Sequence, residues 1–251
     1  MKEFKQWHEE KDGLTQFYRE IKLDFGKCDS KQHLKLSELL SLCADTAVED
    51  YFIRGFSWQF LAENGFVILL SRSSFHIAKP LCTNEEIRIK TWEEKPQGLQ
   101  LFRGFEITDF AGNVRVEGIT SWLLVNPESR KIQRPDTFTY RKAPEVSLPH
   151  NCMDCGKIQL PPDMQLLEER KVRFSEIDSN NHVNNSKYAD FAIDCLPEEY
   201  YQKDFTDIRI NYAKEMRLGE TIGLYAHFSD GKICVTGKHD NDVCFECELF
   251  F

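Results

Sequence analysis

The densest polar cluster in the chain is Asp178-Ser-Asn-Asn-His-Val-Asn-Asn-Ser-Lys-Tyr188. Asp178 and His182 can titrate or orient a partner, and Asn180 can both donate and accept hydrogen bonds. The run precedes a helix expected from about Asn185 to Leu196. The first backbone N–H groups of a helix lack intrahelical partners and carry the positive end of its dipole. A developing oxyanion is stabilised at such a place. The same residue types are also favoured in turns and at helix N-caps, so composition leaves both readings open. A second carboxylate, Glu215, stands between Lys214 and Arg217 near a strand end. Taken alone, a glutamate there reads as half of a solvated ion pair.

The elements that must position these groups come in two similar sets. In the first half, Leu36, Leu39, Leu40, Cys43, Ala44 and Ala47 recur at the spacing of one helical face. Residues 65–71, 86–92, 99–107 and 114–122 are rich in β-branched and aromatic types and read as strands. The second half gives strands at 167–174, 208–212, 221–228, 232–237 and 243–251, with Pro197 closing its helix. Residues 140–162 carry four prolines and little periodicity, the signature of a linker. At a constant spacing of 149 positions, Phe25 falls on Phe174, Asp29 on Asp178, His33 on His182 and Ser37 on Ser186. Motif, spacing and element order together argue for a duplicated unit. A long helix wrapped by an antiparallel sheet is the hot-dog arrangement. The expected fold is therefore α+β, a tandem (double) hot dog of two antiparallel sheets, each wrapped around a long helix. Residues 1–139 form the first unit, 140–163 the linker and 164–251 the second.

The chain has 251 residues, 41% hydrophobic and 29% charged, with a net charge of −9. That balance excludes a disordered chain, and the acidity disfavours a general nucleic-acid binder. No apolar run is long enough to span a membrane, and the first residues resemble no secretory or transit segment. A cytoplasmic location is expected. Nine cysteines, an odd number in a chain of this size, read as reduced thiols. Two C-x-x-C pairs, Cys152/Cys155 and Cys244/Cys247, raise the question of zinc. The second lies on an expected strand, where positions i and i+3 point to opposite faces. No metal and no cofactor is expected.

The string Asp178-x-Asn180-x-His182-Val-Asn184-Asn185-x-x-Tyr188 closely resembles the motif of acyl-acyl carrier protein (acyl-ACP) thioesterases, the double hot-dog enzymes of plants and many bacteria. Asn211-Tyr-Ala-Lys-Glu215-Met216 resembles the family's Tyr-Arg-Arg-Glu-Cys segment, and the first half fits through Lys90-Thr-Trp92 and Ser121-Trp-Leu-Leu-Val-Asn126. The resemblance runs from about Phe17 to the C-terminus. It implies thioester hydrolysis that releases a fatty acid from the carrier and ends chain elongation. Glu215 would be the general base for the water, and Asn180 and His182 would position the water and the carbonyl. Asp178 would hold its neighbours, although in related single hot-dog thioesterases the matching aspartate is itself the base or nucleophile. Met216 replaces the cysteine of plant members, and a thioether cannot become a thiolate. The resemblance also assigns chain-length selection mainly to the first half. Leu39, Leu40 and Cys43 of its helix and Val67, Ile68 and Leu69 of its strand are the candidate lining. Lys31 stands where Asn180 stands, and Pro80 falls near the Glu215 position, so the first copy lacks the full set. The implied partner is an acyl carrier protein bearing a 4′-phosphopantetheine-linked chain. Arg170, Lys171, Arg173, Arg141 and Lys142 are candidate docking residues. A pseudo-dimeric monomer or a homodimer would suit the duplication. Coenzyme A in place of the carrier, or a non-catalytic acyl-binding protein, are the alternatives.

Overall fold

The computed structural model describes residues 3–251. A hairpin of β1 (Gln6–Lys11) and β2 (Leu14–Lys22) is followed by α1 (Leu36–Ile53) and the short α2 (Trp58–Glu63). Strands β3 (Val67–Ile77), β4 (Glu86–Gln97), β5 (Gln100–Asp109) and β6 (Val114–Val125) complete the first half. The second half runs β7 (Gln165–Lys171), α3 (Lys187–Asp194), β8 (Asp207–Tyr212), β9 (Thr221–Ser229), β10 (Lys232–His239) and β11 (Asp242–Phe250).

The two sheets expected from the sequence are one. All eleven strands form a single sheet in the order β1-β2-β4-β5-β6-β3-β8-β11-β10-β9-β7. Read outwards from the β3–β8 seam, one side runs β3, β6, β5, β4, β2 and the other β8, β11, β10, β9, β7. Two copies of one unit give this palindrome when their equivalent edge strands pair about a two-fold axis. The seam is antiparallel, from Arg72 opposite Asn211 to His76 opposite Asp207. An unpaired edge would leave a row of N–H and C=O groups open, and the pairing satisfies both edges at once.

The second long helix is also corrected. α1 has 18 residues but α3 only 8. Pro197 lies just past the end of α3, where it cannot continue a helix and biases the residue before it away from helical geometry. One continuous core unites the halves. Leu39, Leu40, Cys43 and Ala47 of α1 pack with Tyr188, Ala189 and Phe191 of α3 and with Phe75, Ile89, Ile208, Ile210 and Phe245 of the sheet. Phe75 and Phe245 lie opposite Gly118 and Gly237 on their neighbouring strands. A Cβ added at Gly118 would stand 2.2 Å from the Phe75 ring, and one at Gly237 2.3 Å from the Phe245 ring. Each glycine therefore makes room for a buried ring, worth about 1.5–3 kcal/mol of apolar burial.

Residues 138–164 contain no helix or strand, yet this segment is anchored. Arg72 of β3 donates to the Cys155 carbonyl at 3.1 Å, and Arg209 of β8 donates to the Gly156 carbonyl at 3.1 Å. Arg209 alternates with the core residues Ile208 and Ile210, so the segment straps the seam on the face away from the helices. Its own Cys152, Cys155 and Ile158 are buried.

Candidate active site

The duplicated motif folds twice into the same loop. Asp178 N–H donates to the His182 carbonyl at 2.9 Å, as Asp29 N–H does to His33 at 2.8 Å. Asn181 N–H donates to the Asp178 carbonyl and Gln32 N–H to the Asp29 carbonyl, both at 3.0 Å. Asp178 Oδ1 accepts from Asn180 N–H, and Asp29 Oδ1 from Lys31 N–H, both at 2.8 Å. The bends pass through positive φ at Asn181 (65°) and Gln32 (66°). Isolated bridges, Ile177 with Val183 and Cys28 with Leu34, close the two loops. Both aspartates thus serve the turn through the side-chain-to-backbone bonds typical of Asx turns, rather than capping a helix. The residue before α1 is Lys35 and that before α3 is Ser186, and neither gives a side-chain cap.

The repeat also fixes the second contributor. Val183 N–H donates to the Met216 carbonyl and Leu34 N–H to the Leu81 carbonyl, both at 2.8 Å. Met216 and Leu81 are therefore equivalent, and so are their neighbours Glu215 and Pro80. The carboxylate is present in one copy, and in the other a ring without chemistry takes its place.

His182 links the catalytic candidates. Its Nδ1 lies 3.7 Å from Asp178 Oδ1 and 3.5 Å from the Val183 carbonyl. Its Nε2 lies 3.8 Å from Glu215 Oε1. The imidazole thus stands between two carboxylates. Asn180 is tied to the group through its backbone, and its side chain is at the exposed tip of the loop. Glu215 is 51% exposed, so the burial that would favour a carboxylate base is not found.

The expected oxyanion site at the start of α3 is also not found. Asn184 Oδ1 accepts from both Ser186 N–H and Ser186 Oγ at 2.9 Å. Lys187 N–H donates to the Asn184 carbonyl and Ala189 N–H to the Ser186 carbonyl. The first turn spends these donors on its own chain.

Glu176 is a loop-positioning residue that sequence reasoning missed. It accepts from Arg173 N–H at 2.7 Å and pairs with Arg170, while its carbonyl receives Asn184 N–H at 2.9 Å. It therefore pins both ends of the motif loop. The only sequence signal was its place five residues after a charged strand end. Arg170 also stacks on Phe191, with its guanidinium carbon 4.1 Å from the ring centroid. Arg170 is thus a structural residue, and so is Arg141, which pairs with buried Glu93. Lys142 pairs with Glu145, both on the surface.

The candidate lining of the acyl slot divides. Leu39, Leu40 and Cys43 belong to the main core. Ile68 packs against a separate cluster of Leu61, Phe66, Leu101, Leu124 and Phe138. Val67 is half-buried beside it in β3, and Leu69 is 39% exposed. Among the described residues, no group of three or more His, Cys, Asp or Glu side chains could hold a metal ion. No helix there is long and apolar enough to cross a membrane.

One large antiparallel sheet, a helix in each half and a duplicated loop, beside Glu215 in the second copy and Pro80 in the first, define a hot-dog-like α+β fold. Solved structures share it. An acyl-ACP thioesterase from Bacteroides thetaiotaomicron superposes with a TM-score of 0.81 at 20% identity, over 94% of this chain and 97% of that one. A 12:0-ACP thioesterase from Umbellularia californica gives 0.82 at 13% identity, over 94% and 96%. Family models for the acyl-ACP thioesterase N-terminal and C-terminal domains match residues 15–138 and 161–247. The chain belongs to the acyl-ACP thioesterase family. Among curated relatives, the chloroplastic oleoyl-acyl carrier protein thioesterase of Coriandrum sativum is 24% identical over 152 residues, 55% of this chain and 41% of that protein. Oleoyl-acyl carrier protein thioesterase 2 of Arabidopsis thaliana is 22% identical over 165 residues, 61% and 45%. The matches span less than half the length of these relatives.

Proposed function

We propose that this chain hydrolyses the thioester of fatty acyl-ACP, releasing free fatty acid and ending chain elongation. The observation that carries this reading is the His182 imidazole between Asp178 and Glu215, in the one repeat that keeps all four motif residues. A gap of 3.8 Å between Nε2 and Glu215 Oε1 is too long for a direct hydrogen bond and suits a shared water. Glu215 takes a proton from that water as its oxygen attacks the thioester carbon. The Asn180 amide donates to the developing oxyanion. The C–S bond then breaks, and Glu215 returns the proton to the departing pantetheine sulfur. Asp178, with Oδ1 already engaged by the Asn180 backbone N–H, positions the loop and the imidazole.

In this reading the fold is a tandem hot dog whose two sheets have fused at the seam. Residues 1–139 and 164–251 are the two units, 140–163 the strap between them, and Leu39, Leu40, Cys43, Val67, Ile68 and Leu69 lie along the route of the chain. The partner is acyl carrier protein, and exposed Lys171 and Arg173 are the remaining basic candidates for its docking. The two halves supply each other's partner surface, so the unit is a pseudo-dimeric monomer. Nine free cysteines suit a reducing compartment such as the cytoplasm.

The test is single-turnover release of fatty acid from C8–C18 acyl-ACPs beside the matching acyl-CoAs. Rapid release from the carrier esters, falling about 10²-fold or more in Glu215→Gln with the fold kept, is the expected outcome. Release from CoA esters alone would move the activity to the other carrier. No release from either would leave a binding protein.

A further inference from the structure

The repeat that lost the glutamate has kept a cavity. Its volume is about 390 Å³, and small-molecule sites commonly span about 300–1,000 Å³. Leu34, Leu81, Val116 and Ile193 give it an apolar floor, and Lys31 and His33 stand on its rim. The buried hydroxyl of Ser37, 2% exposed, is on its wall and has no hydrogen-bond partner among the described residues. A buried polar group is ordinarily satisfied, so an unpartnered one on a cavity wall points to an occupant.

The rim shows what kind of head group fits. Asp204, on the loop before β8, brings one carboxylate oxygen to both rim groups. Lys31 Nζ donates to its Oδ1 at 2.8 Å, and His33 Nδ1 lies 3.4 Å from the same atom. Asp204 is 59% exposed, so it can turn to water and yield that place. Of the other carboxylates around the cavity, Asp29 is held by loop amides and Asp190 by Lys187. Asp194 lies 3.7 Å from Arg170, and Lys35 and Lys203 add positive charge. A thioester is a poorer guest here, because Lys31 replaces the amide of Asn180. Pro80 offers no base to activate water.

We propose that this first-repeat cavity is a second, non-hydrolytic site for a fatty carboxylate, its head held by Lys31 and His33 and its chain on the apolar floor. The inference stands on this cavity alone and goes beyond the hydrolytic reading of the other repeat. It adds a place where an acid of the product's own class can stay bound.

The test is photo-crosslinking of the full chain with dodecanoic acid carrying a terminal diazirine, with the labelled peptides mapped by mass spectrometry. Hydrolysis of C8–C18 acyl-ACPs is measured in parallel. Label is expected on residues 77–81 and 189–193. It should fall at least tenfold in Lys31→Glu and in Ile193→Trp and persist in Lys31→Arg, with hydrolysis unchanged in all three. Label confined to residues around 178–188 would overturn the proposal, as would wild-type labelling in Lys31→Glu. A shift in the chain-length profile of hydrolysis in Ile193→Trp would also overturn it, because the cavity would then belong to the catalytic slot. The expected labelling without hydrolysis by any form would uphold this site and remove the proposed function instead.

Discussion

Met216 and Cys244 decide which nucleophile the site can offer. Met216 is fully buried next to Glu215, and its sulfur lies 3.2 Å from Cys244 Sγ. Cys244 thus touches the motif segment, and burial pushes its thiol up to about 11. At neutral pH it stays protonated, and a thiol is a poor nucleophile. Cys244→Ser should therefore leave single-turnover release within about threefold of wild type, while a thousandfold loss would put sulfur chemistry back into the mechanism. At this scale the sequence was informative where chemistry dictates residue type. Asp178 and His182 stood out by residue type and Glu215 only through the family resemblance, and the structure brings the three side chains together around one imidazole. It was silent on Glu176, whose partners Arg170 and Arg173 read as candidate docking residues. It also misled about the N–H groups of α3, because nothing in a sequence tells which donors Asn184 will take.

The motif loop is an element in its own right, and its bend hangs on one residue. Asn181 sits at φ 65°, a region that asparagine tolerates and β-branched residues do not. Asn181→Gly should keep stability and activity near wild type. Asn181→Val should cost about 1–2 kcal/mol in urea unfolding and lower release by displacing His182. Equal behaviour of the two variants would mean that the bend does not depend on this conformation. The matching bend at Gln32 shows that the geometry belongs to the duplicated element rather than to the chemistry it carries. The 149-residue repeat made that element legible, and most strands were legible from their β-branched and aromatic runs. The hairpin β1–β2 was not, since the exposed and half-exposed residues of β1 lack the alternation of a half-buried strand. Its signal was local instead. Asp12 (φ 54°) and Gly13 (φ 76°) form the two-residue turn between Lys11 and Leu14, a pairing that favours hairpins. The extent of α3 was set by Pro197, and the fusion of two sheets into one could not be read from patterning. Alternation specifies which face of a strand is buried and is silent on which edge it pairs.

For the whole molecule, a buried charge network ties the first half together. At the C-terminal end of α1, Asp50 and Glu93 are buried with three guanidinium groups. Arg103 lies 2.8 Å from Asp50, Arg54 lies 3.0 Å from Glu93, and Arg141 lies 2.5 Å from Glu93. His8 of β1 adds a contact of 2.8 Å to Asp50, tying the edge hairpin into the same network. Burial pushes both carboxyls up, but the arginines outweigh it and hold both below their ordinary values. A carboxylate with a depressed folded-state pKa contributes stability above its unfolded value, near 4, and loses it as pH falls through the folded value. The urea midpoint of the wild type should therefore drop as pH is lowered from about 5 towards 2. Asp50→Asn should start lower at pH 7, by about 3–5 kcal/mol, because Arg103 is left buried without its carboxylate. Its midpoint should then decline less steeply below pH 4, since one of the two titrating groups is gone. Parallel curves for the two proteins would assign the acid sensitivity to other carboxylates. A crossing or convergence at low pH would identify this network as the point where acid opens the first half.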